Sequence, residues 1–326
     1  ENGTAGNVTV SATENITLGG DANNSAIRSE GLQQGGNISI TSVTGEIDAT
    51  QGRLDSYSAA GTAGNVTLEA LGNITTAAIL SDGKQVGGNI AITSSSGDID
   101  VSLDNLESYS SEGTAGDVTL TAPGDITTED IISDGRQIGG NITITSTQGK
   151  IEAAGGNLYS FSEAGKAGNV SLNAPGDIAT AEIFSNGYEV GGNIDITTTG
   201  GKIDATAGGL NSYSENGTAG NVSLNAPRDI ATGNIRSEGL QVGGKIDITT
   251  GSNLDLSAAT LNSYSEKGKA GDVSLSAQGN VTLGGDAENS AIRSEGLQQG
   301  GNISITSANG EVYTRWGNLD SFSNAG

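Results

Sequence analysis

The sequence predicts an all-β chain, a right-handed parallel β-helix (solenoid) of about twelve coils with three short strands in each. Three observations predict it. A Gly followed by a short polar residue recurs at Gly6, Gly36, Gly64, Gly88, Gly116, Gly140, Gly168, Gly192, Gly220, Gly244, Gly271 and Gly301. Behind it, aliphatic residues fill four columns without a polar break. Gly is abundant (53 residues) while Pro is scarce (3) and aromatics make up 3%, a composition suited to many short strands joined by tight turns.

The stretch from Ala115 to Ser162 shows the plan, because its two halves carry one pattern. The first strand alternates, with Val118 and Leu120 in one half and Ile142 and Ile144 in the other. A turn leads to a second strand pinned by Ile126 or Ile151, and a third follows with Ile131 or Leu158. The spacing of the opening Gly alternates between short and long, so the full unit is two coils. Units start near residues 3, 61, 113, 165, 217 and 268, and residues 1–326 read as one array. Longer connections enter at Gly19 to Asn24 and again at Gly284 to Asn289.

A period this regular indicates stacked units that bury a face only against neighbours. A propeller blade would need four antiparallel strands, but here both halves run in the same sense. Right-handed coiling follows the handedness of parallel crossovers. Each aliphatic residue, fully buried, stabilises by roughly 1.5–3 kcal/mol before entropy is counted.

A Ser stands two places after the third-strand aliphatic in every coil, as in Ser108, Ser133 and Ser160. Alternation turns it inward, where hydroxyls must bond to one another or to backbone. A row of nucleophiles is the other reading, but the chain has no His to serve as base. The polar residue after the opening Gly is almost always Asn or Asp, broken once by Lys245, and predicts an amide ladder. Its frequent N-x-S/T pattern is a by-product of alternation. Before the second strand, Asp125, Lys150, Asp177, Lys202 and Asp229 alternate in sign, which suggests cross-coil ion pairing.

Past the serine column, acids or amides alternate with aromatics. Tyr57, Tyr109, Phe161, Tyr213, Tyr264 and Phe322 recur every second coil, ~9.6 Å apart. They form a candidate contact surface for sugar rings or for a neighbouring fibre; the plainer reading is that each ring only covers the coil below. In the last unit Tyr313, Arg315 and Trp316, the chain's one Trp, stand where the first unit has Asp48, Thr50 and Gln51. They are a further candidate contact, against simple drift.

The formal net charge is −24. It disfavours nucleic acid, which needs clustered Lys and Arg, and anionic membrane surfaces. A solvated acidic coat explains it, with divalent-cation bridging between copies as the sharper reading. No apolar run approaches the ~20 residues of a membrane span. No Cys is present, so no disulfide framework or thiolate site is expected, and no catalytic residue, cofactor or metal site is predicted. The glycine-aspartate nonapeptide of calcium-binding repeats does not occur, and isolated pairs such as Asp98 and Asp100 are weak ligands.

Residues 24–42 recur letter for letter at 289–307, an offset of 265 residues. With no cap at either end, the expectation is a window of a longer array, or protomers joined head to tail.

The G-x-A-G-N-V-x-L opening, the partner G-G-N-I-x-I and the A-P-G-D-I turn at Ala122 to Ile126 resemble the repeat regions of filamentous-haemagglutinin-like exoproteins, the cyanobacterial members above all. The resemblance covers the whole chain. It implies two-partner secretion, a β-helical shaft, and roles in adhesion, biofilm matrix or toxin delivery. The family's secretion domain and effector have no counterpart in these residues. The function expected is therefore a secreted, cell-surface or extracellular structural fibre or adhesin shaft, with self-association (head-to-tail or lateral) and a polysaccharide or cell-surface ligand as partners. The alternative is a carbohydrate-binding or polysaccharide-cleaving β-helix. Cleavage needs carboxylates clustered in a long cleft, whereas the acids here are spread along columns, so no enzyme is expected.

Overall fold

A computed structural model describes residues 3–19, 25–284, 291–314 and 317–324. The described chain contains no helix and folds into three parallel sheets of twelve strands each. Successive strands visit the three sheets in turn, so each coil places one strand in each sheet. Coil 5, for example, comprises Val118–Ala122, Ile126–Thr128 and Ile131–Gly135. Twelve rungs have eleven intervals, so the first and last are roughly 53 Å apart at ~4.8 Å per rung.

Register is kept from coil to coil. Val118 pairs with Ile142, Ile126 with Ile151, and Ile131 with Leu158. The four aliphatic columns therefore stack on themselves, and in coils 2 to 10 their members are at most 1% exposed. One contiguous cluster runs along the axis. Strand residues between the columns point out, which gives the repeated buried–open alternation of period two.

The opening glycines are fixed by close approach between coils rather than by backbone conformation. Among the described residues no non-Gly residue has positive φ. A Cβ on Gly116 would lie 2.4 Å from the backbone of Gly88, and one on Gly140 2.2 Å from the carbonyl of Gly116. No side chain fits there, so the column is strict.

The serine column is buried, as expected, but its hydroxyls do not bond to one another. Ser133 Oγ donates to the Gly116 carbonyl (2.9 Å) and accepts from the Gly140 N–H (2.8 Å). Ser108 does the same between Gly88 and Gly116. Most serines of the column thus tie the opening Gly of their own coil to that of the next.

The amide ladder forms, and it too runs through backbone. Asn37 Oδ1 accepts the Asn65 N–H, Asn65 Oδ1 the Asn89 N–H, and Asn89 Oδ1 the Asp117 N–H, each within 2.9 Å. The Lys245 N–H donates to Asn221 Oδ1, but the lysine side chain has no acceptor to offer the next coil.

The alternating charges before the second strand form no cross-coil ion pair among the described residues, although the charge of Lys202 still acts on Asp229 in the next coil. Asp125 Oδ1 accepts the backbone N–H of Lys150 (2.9 Å), while Lys150 Nζ lies 3.5 Å from Glu152 in the strand that follows it. Lys202 repeats this with Asp177 and Asp204. A short carboxylate is chosen because it reaches a backbone donor one coil on, and the lysine turns instead to its neighbour two residues away. Asp98 and Asp100 are engaged likewise: Asp98 accepts the Asp125 N–H, and Asp100 closes an Asx turn on Ser102.

Candidate functional site

The outward face of the third sheet is where the chain departs from its structural ladders. Each third-sheet strand offers two outward positions flanking the buried serine. The outer column is Tyr57, Asp82, Tyr109, Asp134, Phe161, Asn186 and onward, in register from rung to rung. All six aromatics expected there share this one face. Phe161, Tyr213 and Phe322 are exposed, and the others are partly covered by neighbouring rungs.

Tyr313 is elsewhere. It lies in the second-sheet strand Val312–Thr314, paired with Thr282, and its hydroxyl donates to Glu311. The structure does not join it to the aromatic column. Arg315 and Trp316 lie outside the described residues, as do most of the longer connections that begin at Gly19 and Gly284.

The sequence reading missed the inner outward column, between the core aliphatic and the serine. At coils 5 to 7 it reads Ile132, Tyr159, Phe184. The Tyr159 and Phe184 rings stack, with centroids 5.1 Å apart and planes inclined by 12°. With Phe161, Asp134 and Asn186 they line an open groove of about 340 Å³. The signal was present, since alternation turns every residue beside the serine outward. It was hidden because this column is apolar only at Leu80 and in mid-array and has no period of its own.

The face is acidic toward its first half. Glu107 stands between Asp82 and Asp134 across the two columns. Partial burial pushes its carboxyl above the usual range, and the charges of Asp82 and Asp134 push it further. Burial raises Asp82, and burial with the charge of Glu163 raises Asp134. The Tyr109 hydroxyl is raised by burial and by these same carboxylates. Toward the other end the Arg293 guanidinium lies 5.6 Å from the Tyr264 ring and 5.7 Å from the Phe322 ring, within cation–π range.

Rings held at a fixed spacing on a rigid sheet offer flat apolar faces, and the carboxylates between them offer acceptors. The arrangement suits lasting contact with another surface. Among the described residues no group of three or more His, Cys, Asp or Glu is placed to hold a metal ion, and no helix is long and apolar enough to cross a membrane. No family model, no curated protein and no solved structure matches the chain.

Proposed function

We propose that the chain is a shaft: a stiff rod used outside the cell for attachment or as part of a fibrous matrix. The observation that carries this reading is how its polar side chains are used. The inward serines and the Asn/Asp columns bond almost wholly to the backbone of adjacent coils, which extends and stiffens the stack. The resemblance of its repeat to filamentous-haemagglutinin-like exoproteins supports an exported, adhesive role.

Fractionation of cells that produce the protein natively tests the location. Recovery in the medium or on the surface is expected, and recovery in the cytosol overturns the reading. Carbohydrate binding is the second reading, favoured by the stacked Tyr159–Phe184 pair in a groove shared with the Asp134 carboxylate and the Asn186 amide. A neutral-glycan array probed with the native chain and with Tyr159→Ala decides it. Glycan retention lost in the variant favours a binding module, and no retention leaves the shaft.

A further inference from the structure

We propose that two copies of this chain pair side by side and antiparallel through the outward faces of their third sheets. The proposal stands on the geometry of that face and does not depend on where the protein is located.

The face carries a symmetry that no single rod needs. A two-fold axis lying in the interface, along the strand direction, reverses the rod axis but keeps each column opposite itself. Set between coils 6 and 7, it brings coil 4 against coil 9, coil 5 against coil 8, and coil 6 against coil 7. In the inner column this places Tyr159 against the partner's Phe184, so the stacked pair of each copy meets that of the other. It places Glu107 against the partner's Arg236, and Arg236 against the partner's Glu107. Among the described residues neither side chain takes part in an ion pair, and Arg236 is exposed. Glu107 has carboxylates on both sides and no cation of its own; the facing arginine supplies one.

The outer column fits the same operation. Its aromatics fall on even coils and its acids or amides on odd ones. The axis exchanges even and odd coils, so no carboxylate meets a carboxylate and no ring meets a ring. Tyr109 faces the partner's Glu238, and Asp134 faces the partner's Tyr213, each a hydroxyl set against a carboxylate. Sliding the copies by two coils keeps this alternation but costs the rest. One direction sets Glu107 against Phe184. The other sets it against Arg293, which already holds Glu295.

The area is sufficient. Ten coils at ~4.8 Å by a five-residue strand of ~17 Å give ~800 Å² on each copy, the size of a standard stable interface. A parallel pairing needs a two-fold along the rod axis, which reverses the strands; centred on the face, it sets each inner residue against the partner's outer one, Glu107 against Tyr109, and leaves Glu107 without a cation.

Sedimentation and small-angle scattering of the purified chain test the proposal, with Glu107→Arg, Arg236→Glu and the double exchange. Expected is a dimer with the length of the monomer and about twice its cross-section. Each single exchange weakens dimerisation at least tenfold, and the double exchange restores most of it. Circular dichroism checks that each variant keeps its strands; both sites face outward. As an independent probe, Glu107→Cys with Arg236→Cys is treated with a thiol crosslinker spanning about one sheet spacing, ~10 Å. The two sites are five coils apart in one copy, ~24 Å, so crosslinking occurs only between copies. The double variant is expected to give a covalent dimer and neither single variant to do so. A chain that stays monomeric at every concentration, a dimer of doubled length, a double exchange no better than the singles, or single cysteines that crosslink as well as the pair would each overturn the proposal.

Discussion

At the scale of single residues, most polar side chains of the interior and corners serve the backbone of the next coil. Ser133 is fully buried between a carbonyl and an N–H. Ser133→Ala leaves both unpaired at about 1–3 kcal/mol each, so a thermal melt should show a clear fall in Tm. Lys245 is the converse case. Lys245→Asn gives the ladder back an acceptor for the Asp272 N–H and is expected to add about 0.5–1.5 kcal/mol, read as a higher midpoint in denaturant. Two aspartates should respond to pH with opposite sign. Burial and the charge of Glu163 raise Asp134 above its unfolded value. Its stability contribution is therefore full below the unfolded pKa of about 3.9 and is lost as pH rises through the folded pKa. Asp134→Asn, the residue type found at Asn186 in coil 7, should raise Tm at neutral pH and change nothing at pH below that value. Hydrogen bonds from Ser252 and from the Asn253 N–H lower Asp229, so it stabilises above its unfolded pKa and ceases to as pH falls through the folded one. Asp229→Ala should lower Tm at neutral pH and do so less in acid; melts of both variants across pH check the pair.

At the scale of the strand and coil, nearly the whole architecture was legible in the sequence, because each coil presents the same buried positions. Val118, Leu120, Ile126 and Ile131 recur in column after column, and the sheets follow that order. The opening Gly was legible as a marker but not as a steric necessity, since only the stacked backbone shows what a Cβ would strike. Gly116→Ala forces coils 4 and 5 apart and is expected to cost at least about 2 kcal/mol, toward the upper end of overpacking penalties. Hydrogen exchange should show the loss of protection centred on those two coils. The contact face was half legible. The periodic ring column announced itself, whereas Ile132, Tyr159 and Phe184 did not, because outward residues have no core to impose a repeat. The direction taken by Lys150 was hidden for a related reason: the sequence shows opposite charges one coil apart, but not that the carboxylate is already held by backbone.

At the scale of the whole molecule, three parallel sheets share one core and one axis, and length is set by coil number alone. The rod is quasi-one-dimensional, so units should be removable without loss of the rest. The most direct measurement is therefore the deletion of one two-coil unit, residues 113–164, with the solution scattering of the shortened chain compared with that of the full one, both at a dilution where each is monomeric. Stacked coils predict a folded rod shorter by ~9.6 Å with an unchanged cross-section. A chain that unfolds, or one that keeps its length and loses girth, would contradict the stack.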